Sequence, residues 1–173
     1  MNKNTMYIVV AVVVIVIIAA IAGAYVLMNP GGGGGGGGGN ETVYNMGNAT
    51  SLQFNLNLTA ADGTSGTYKF AGRNLGTATL MLRVDVEGGG TVYSYIMFAG
   101  NQTAWNNATG TWAQSDFATD WPTWSSQFEG YVTHNKEWKT SDGDINYTDS
   151  GNSIKITGIV INPTLADSLF TPS

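Results

Sequence analysis

The residues best suited to binding are aromatic. All five tryptophans fall between Trp105 and Trp138, and each combines a large apolar area with a polar N–H group. Such rings can line a cavity for a hydrophobic ligand, pack in the core, or form an exposed surface that stacks on sugars. For a hydrophobic ligand we predict a cleft lined by six residues: Tyr93, Tyr95, Trp105, Trp112, Trp124 and Phe128.

Residues that could carry out catalysis are few. His134 is the only histidine and the chain has no cysteine, which excludes multi-histidine and thiolate metal sites and thiol catalysis. Asp116, Asp120 and Glu129 lie near tryptophans and could form the carboxylate pair of a glycosidase. Asp120 is better explained as a helix cap, and Glu129 as part of a polar helix face. We therefore predict that the protein is not an enzyme and uses no cofactor.

One acidic segment has the spacing of a calcium loop, D-x-D-x-N, at Asp142, Asp144 and Asn146. Such a loop needs a turn glycine after the third ligand and a bidentate glutamate at its end. Tyr147 and Ser153 occupy those two positions. A hairpin turn explains the segment better, and we predict no metal site.

The charge of the chain excludes nucleic acid as a partner. Only 11% of the residues are charged, and the formal net charge is −5. The basic residues beyond residue 6 are scattered: Lys69, Arg73, Arg83, Lys136, Lys139 and Lys155. A phosphate backbone requires a basic stripe whose binding releases counterions, and the sequence has no such stripe.

The chain begins with a predicted membrane anchor. Residues 7–28, YIVVAVVVIVIIAAIAGAYVLM, carry no charge and as a helix would be about 33 Å long, enough to span a bilayer core. Lys3 precedes this run and no basic residue follows it until Lys69. The positive-inside rule then places the N-terminus in the cytoplasm and the C-terminal domain outside the cell. A secretory signal cleaved after Ala22 is the alternative.

Composition divides the chain into four regions. They are a cytoplasmic tip (1–6), a transmembrane helix (7–28), a glycine-rich flexible linker (29–40) and an extracytoplasmic β-rich domain (41–173). The linker contains nine consecutive glycines, which have no side chains to pack and form a flexible tether. The tether would hold the domain close to the membrane.

Six glycosylation sequons lie beyond the nonaglycine: Asn40, Asn48, Asn57, Asn101, Asn107 and Asn146. Glycosylation of these sequons would indicate an extracellular glycoprotein and, if the source organism is a prokaryote, an archaeon. An Asn- and Thr-rich β surface without glycans is the alternative.

Alternating apolar residues predict the first strands of the outer domain. Residues 51–59 place four apolar side chains on one face, and residues 80–86 repeat that pattern. Three glycines at 88–90 then predict a hairpin into residues 91–99. Short strands should follow around Trp105 and Trp112.

A second strand pair is predicted near the C-terminus, with its turn at residues 149–152. In the last strand, Ile154 and Ile156 are out of phase with Ile159 and Ile161. We therefore predict a β-bulge at Thr157–Gly158.

One amphipathic helix should interrupt the strands, capped by Asp120, with Pro122 in its first turn and its end near 134–135. Its apolar stripe contains Trp121, Trp124, Phe128, Tyr131 and Val132. A second helical turn is predicted at 164–169.

The stretch TLMLRVDVEGGGTVYSYIMFAGNQTAWNNATGTW and the closing SIKITGIVINPTLADSLFTPS resemble the LolA-like lipoprotein carriers. This resemblance covers about half of the outer domain. It implies an open half-barrel with a concave apolar surface, covered by helices, that holds acyl chains or other hydrophobic groups. The sequence differs from those carriers in having few helices and a membrane anchor.

These observations predict an α+β fold in which a mostly antiparallel, curved sheet is covered by one or two helices. The predicted function is a membrane-tethered, non-enzymatic binding module for a hydrophobic or lipid ligand. A structural cell-surface protein, such as an adhesin or an envelope or filament component that contacts neighbouring proteins or glycans, is the alternative.

Overall fold

The computed structural model describes residues 44–88 and 90–173. The predicted cytoplasmic tip, transmembrane helix and linker, together with Asn40, lie outside these residues. Within the described part of the chain, no helix is both long and apolar enough to cross a membrane.

The domain is an antiparallel eight-stranded sheet, open and curved, with one α-helix on one face. The strand order is β6-β5-β4-β3-β2-β1-β8-β7. This is the α+β half-barrel that the sequence predicted. The strands are β1 (Ser51–Thr59), β2 (Ser65–Arg73), β3 (Met81–Gly88), β4 (Thr91–Phe98), β5 (Thr103–Asn106), β6 (Ala113–Ser115), β7 (Ile145–Asp149) and β8 (Asn152–Ile161).

Successive side chains of each strand point to opposite faces of the sheet. On β1, one set is fully buried beneath the α-helix, and we call this side the helix face. The residues paired with β1 in register share this face. Phe54 is opposite Phe70 on β2, which is opposite Val84 on β3, and Val84 is opposite Tyr95 on β4. The opposite side, the outer face, carries the remaining polar side chains of β1.

Strand β2, which pairs with both β1 and β3, was not predicted from the sequence. Its buried alternation is short, with Tyr68 and Phe70 the only large apolar side chains. Gly66 and Gly72 interrupt the pattern, because glycine contributes no side chain to a sheet surface.

The turn predicted at 149–152 is confirmed as the two-residue connection between β7 and β8. Ser150 and Gly151 both have positive φ, 51° and 83°, as a type I′ hairpin turn requires. The β3–β4 hairpin is confirmed as well, with Gly88 opposite Thr91.

A bulge in β8 is confirmed as well, at Gly158 and Ile159, one residue later than predicted. Gln53 pairs with Val160 and Asn55 pairs with Thr157, so two residues of β8 stand opposite Phe54. Gly158, one of these two, has φ +60°, a conformation that glycine adopts without steric cost. The extra residue brings Ile159 onto the helix face.

The helix, α1, spans Phe117–His134 and begins earlier than predicted. Asp120 is not its cap; Asp116 is, and its carboxylate accepts hydrogen bonds from Ala118 N and Thr119 Oγ1 at 3.1 and 2.6 Å. Pro122 therefore lies inside the helix and not in its first turn. The predicted end near 134–135 is confirmed, since Asn135 is the C-cap.

Three short 3₁₀ helices complete the described part of the chain, at Met46–Asn48, Thr140–Asp142 and Asp167–Phe170. The last overlaps the helical turn predicted at 164–169. It lies on the outer face, where Arg73 pairs with Asp167 at 2.6 Å and Arg83 Nη1 donates to the carbonyl of Leu169 at 2.9 Å. Phe170 beside them is buried.

Candidate ligand site between the helix and the sheet

An aromatic layer joins α1 to the helix face. Phe128 stacks on Phe54 with ring centroids 5.8 Å apart, and Tyr131 meets the same ring edge-on at 6.4 Å. Trp124 lies over Tyr95 at 5.0 Å and Tyr68 at 6.3 Å. Because rings of α1 contact ring side chains of β1, β2 and β4, the helix covers the helix face of the half-barrel.

The close approach of helix and sheet depends on Gly72 in β2. A Cβ atom at this position would lie 2.7 Å from Cζ of Phe128 and 3.1 Å from Cδ1 of Leu75. Real Cβ atoms essentially never come closer than 3.0 Å to another atom, so the contact with Phe128 could not form without movement. The missing side chain of Gly72 therefore provides the space for the Phe128 ring.

Two polar atoms on α1 are buried without a hydrogen-bond partner, Nε2 of Gln127 and the hydroxyl of Tyr131. Both side chains are 2% exposed. The two residues are four apart, so they are neighbours on one helix face. An unpaired buried donor or acceptor costs about 1–3 kcal/mol, and each such group in a folded protein needs an explanation.

Burial also controls the ionisation of the tyrosines here. Loss of solvent raises the pKa of the Tyr131 hydroxyl far above its ordinary value, and the nearby Tyr147 and Asp149 raise it further. Burial raises the pKa of Tyr147 to about 12. The Tyr131 hydroxyl therefore keeps its proton and can donate a hydrogen bond at physiological pH.

The margin of the helix face at β7 and β8 is apolar and partly open. Four side chains of these strands pack against the core while keeping part of their surface exposed: Ile145, Tyr147, Ile159 and Ile161. His134, exposed at the end of α1, stacks on Tyr147 with ring centroids 4.3 Å apart. Tyr131 lies one turn earlier on the same helix, and its hydroxyl is close enough to Tyr147 and Asp149 of β7 for their charges to affect its pKa.

At the opposite margin of the sheet, the half-buried carboxylate of Asp120 joins α1 to the edge strand β6. Asp120 Oδ2 accepts a hydrogen bond from Ser115 Oγ at 2.6 Å. Burial raises the pKa of Asp120, and the charge of Asp116 raises it further. Phe117 and Trp121 stack beside it at 5.3 Å and remain partly exposed.

The six predicted ligand-binding residues do not share one surface. Tyr93 and Tyr95 lie on the helix face of β4, and Trp124 and Phe128 on α1 are 3% and 1% exposed. Trp105 pairs with Ile96 and lies on the outer face. Trp112 precedes β6 in a loop and is partly exposed.

Sequence reasoning did not single out Gln127 as a site residue. A signal was present, because Gln127 lies three residues after Trp124 and four before Tyr131, within the apolar stripe of the helix. A polar residue in such a stripe is buried if the helix packs as predicted.

The described sequons differ in accessibility. Asn48, Asn57, Asn101 and Asn146 are exposed, whereas Asn107 is partly buried. Asn107 Oδ1 accepts a hydrogen bond from the backbone N–H of the buried Ser94 at 2.6 Å. Asn57 and Asn146 both lie opposite Lys155, on the outer face.

The remaining candidates for chemistry are dispersed. Glu129 is exposed on the outer side of α1. Asp142 accepts a hydrogen bond from Lys139 N at 2.8 Å, and Asp144 lies 3.9 Å from Lys155 Nζ. Across residues 44–88 and 90–173, no three His, Asp or Glu side chains are grouped to hold a metal ion.

Comparison with protein-family models, with curated proteins and with solved structures found no match. The resemblance to the LolA-like carriers stays a prediction.

Proposed function

We propose that the protein is a membrane-tethered, extracytoplasmic binding module for a hydrophobic or lipid ligand, and that it is not an enzyme. Its N-terminus would be cytoplasmic and its β-rich domain extracellular. The observation that carries this proposal is the pair of unpartnered polar atoms, Gln127 Nε2 and Tyr131 OH, buried where α1 packs on a core of mainly apolar and aromatic side chains.

A ligand with both an apolar chain and a polar atom would match this layer. Its polar atom could accept from Gln127 and Tyr131, removing the desolvation cost of both groups. Its chain would lie against the apolar side chains of β7 and β8. Each buried methylene contributes about 0.8 kcal/mol, so a chain of several carbons would bind firmly.

The helix must act as a lid in this proposal, because Trp124 and Phe128 are buried against aromatic side chains of the sheet in the structure. The ligand would enter at the β7–β8 margin and displace ring contacts of α1. Such ring pairs contribute about 0.5–1.5 kcal/mol each beyond area burial, which a bound chain could offset. A tether that keeps the domain near the bilayer would give access to membrane-borne ligands.

The test is photolabelling of the full chain in lipid nanodiscs with a single-chain lipid carrying a diazirine on its chain. We expect labelling of residues 117–134 that saturates with probe concentration and is displaced by the unlabelled lipid. Labelling that rises linearly with probe and resists displacement would contradict ligand binding.

The second candidate function is assembly of a cell-surface structure, favoured by the edge strand β7. This strand pairs only with β8 among the described strands, so its other edge presents free N–H and C=O groups over five residues. It contains no lysine or proline, the residues that commonly block edge-to-edge pairing.

Sedimentation of the detergent-solubilised full chain tests assembly through this edge. Self-association that is lost when Thr148 is replaced by Pro would favour a structural role. Monomers at all concentrations would argue against it.

A further inference from the structure

The buried polar atoms and the placement of charges indicate the chemical class of the ligand's head group. This inference rests on the proposed binding function. Gln127 Nε2 can only donate a hydrogen bond, and the protonated Tyr131 hydroxyl can donate one as well. The complementary group on a ligand is an oxygen atom that accepts hydrogen bonds.

The basic residues of the sheet all lie away from this site. Lys69, Arg73, Arg83 and Lys155 occupy strand positions that alternate with the helix-face residues, so they lie on the outer face. Lys136 and Lys139 are exposed in the segment after α1. In the described part of the chain, no lysine or arginine therefore stands on the helix face of the sheet.

The charged groups at the helix–sheet layer are instead acidic. Asp149 on β7 shares the helix face with Tyr147 and is close enough to Tyr131 to raise the pKa of its hydroxyl. Asp120 stands at the opposite margin, near Tyr95. His134 stacks on Tyr147 at the β7 margin and is exposed.

We infer that the ligand is a lipid with an uncharged, oxygen-bearing head group, such as an ester, an ether or a long-chain alcohol, and that anionic lipids are discriminated against. A carboxylate or phosphate placed between Gln127 and Tyr131 would be buried without a cation and beside Asp149. Burying an unpaired charge is strongly unfavourable. A neutral oxygen accepts the same two hydrogen bonds without that penalty.

A matched pair of probes tests this inference, a diazirine-bearing fatty acid and its methyl ester, which differ only in head-group charge. The full chain in nanodiscs is labelled at about pH 9, where the acid is ionised. Labelling is normalised to that of the nanodisc scaffold protein, which reports the probe concentration in the bilayer. We expect the ester to label α1 at least about tenfold more than the acid, a factor that corresponds to a modest free-energy difference.

Two variants assign the head group to its partners. Gln127→Met and Tyr131→Phe keep side-chain volume while removing the polar atoms. Each should weaken binding of the ester, so that the ester concentration needed for half-maximal labelling rises about tenfold. The matched controls are Gln53→Met and Tyr44→Phe, both at exposed positions, and they should leave labelling unchanged.

Three results would overturn the inference in distinguishable ways. Equal or stronger labelling by the acid refutes selection against charge while leaving the binding function intact. Unchanged ester labelling in both variants refutes Gln127 and Tyr131 as the head-group partners. Absence of saturable labelling by either probe refutes the binding function itself.

Discussion

Tyr131 and Gln127 are residues at which a binding function and stability would conflict. In the free protein, each carries a polar atom that is buried and unpaired. A substitution that keeps the side-chain volume but removes the polar atom should therefore remove a desolvation cost without opening a cavity.

At Tyr131 this has a measurable consequence. Tyr131→Phe should raise the free energy of unfolding of the ligand-free protein by about 1 kcal/mol, as measured by chemical denaturation. Tyr44→Phe, at a position that is 52% exposed, is the control and should change it by less than about 0.5 kcal/mol. Destabilisation by Tyr131→Phe would show that the hydroxyl is bonded in the free protein, for example to internal water.

The sequons make a second prediction at the scale of the residue. If the chain is glycosylated, peptides containing Asn101 and Asn146 should carry glycans, because both asparagines are exposed. The peptide containing Asn107 should not, because this side chain is partly buried and bonded to Ser94 N. Peptide masses before and after glycan removal test this, and modification at Asn107 alone would contradict it.

At the scale of the element, the helix–sheet contact depends on a residue without a side chain. Gly72→Ala would place a methyl group against Phe128 and Leu75, and overpacking of this kind costs about 1–3 kcal/mol. Thermal unfolding should therefore shift to lower temperature. Gly100→Ala is the control, because its added methyl group would find no atom closer than 3.5 Å. Equal effects of the two changes would contradict the packing described here.

Several elements could be predicted because their patterns are local. Three patterns each span ten residues or fewer: the alternation of β1, the glycine turn before β4 and the phase break in β8. The structure has all three. The apolar stripe of α1 is also a local pattern, and three of its predicted members, Trp124, Phe128 and Tyr131, are buried.

Other features depend on contacts between distant segments. β2 is stabilised by its two neighbours despite Gly66 and Gly72, and no local pattern reports that pairing. The cap of α1 is Asp116 and not the predicted Asp120. Both positions offer a capping carboxylate, but the carboxylate of Asp120 accepts a hydrogen bond from Ser115. The placement of Trp105 on the outer face follows from the register of β5 on β4, which the sequence alone does not specify.

At the scale of the whole molecule, burial of tyrosines predicts how stability depends on pH. Burial raises the pKa of Tyr68, Tyr95, Tyr131 and Tyr147. In the unfolded chain these hydroxyls ionise near pH 10, whereas in the folded protein they stay protonated to higher pH. Their contribution to the free energy of unfolding is complete below pH 10. It is lost as the pH rises above 10, because the unfolded state then binds fewer protons than the folded state.

The free energy of unfolding should therefore fall between about pH 10 and pH 12, as followed by denaturation at a series of pH values. Tyr147→Phe should make this decline less steep, since the pKa of Tyr147 is raised to about 12. Tyr44→Phe should leave the slope unchanged. Stability that is constant over this range would contradict the burial of these hydroxyls.

The proposed function places a ligand between α1 and the helix face, and a residue-level map of photolabelling shows whether a ligand binds there. The full chain in nanodiscs is labelled with the diazirine-bearing methyl ester, and the modified residues are identified by mass spectrometry. We predict saturable modification at Gln127, Tyr131 and the β7–β8 margin. Saturable modification confined to outer-face residues such as Val92 or Val160, which are exposed apolar side chains, would contradict the claim.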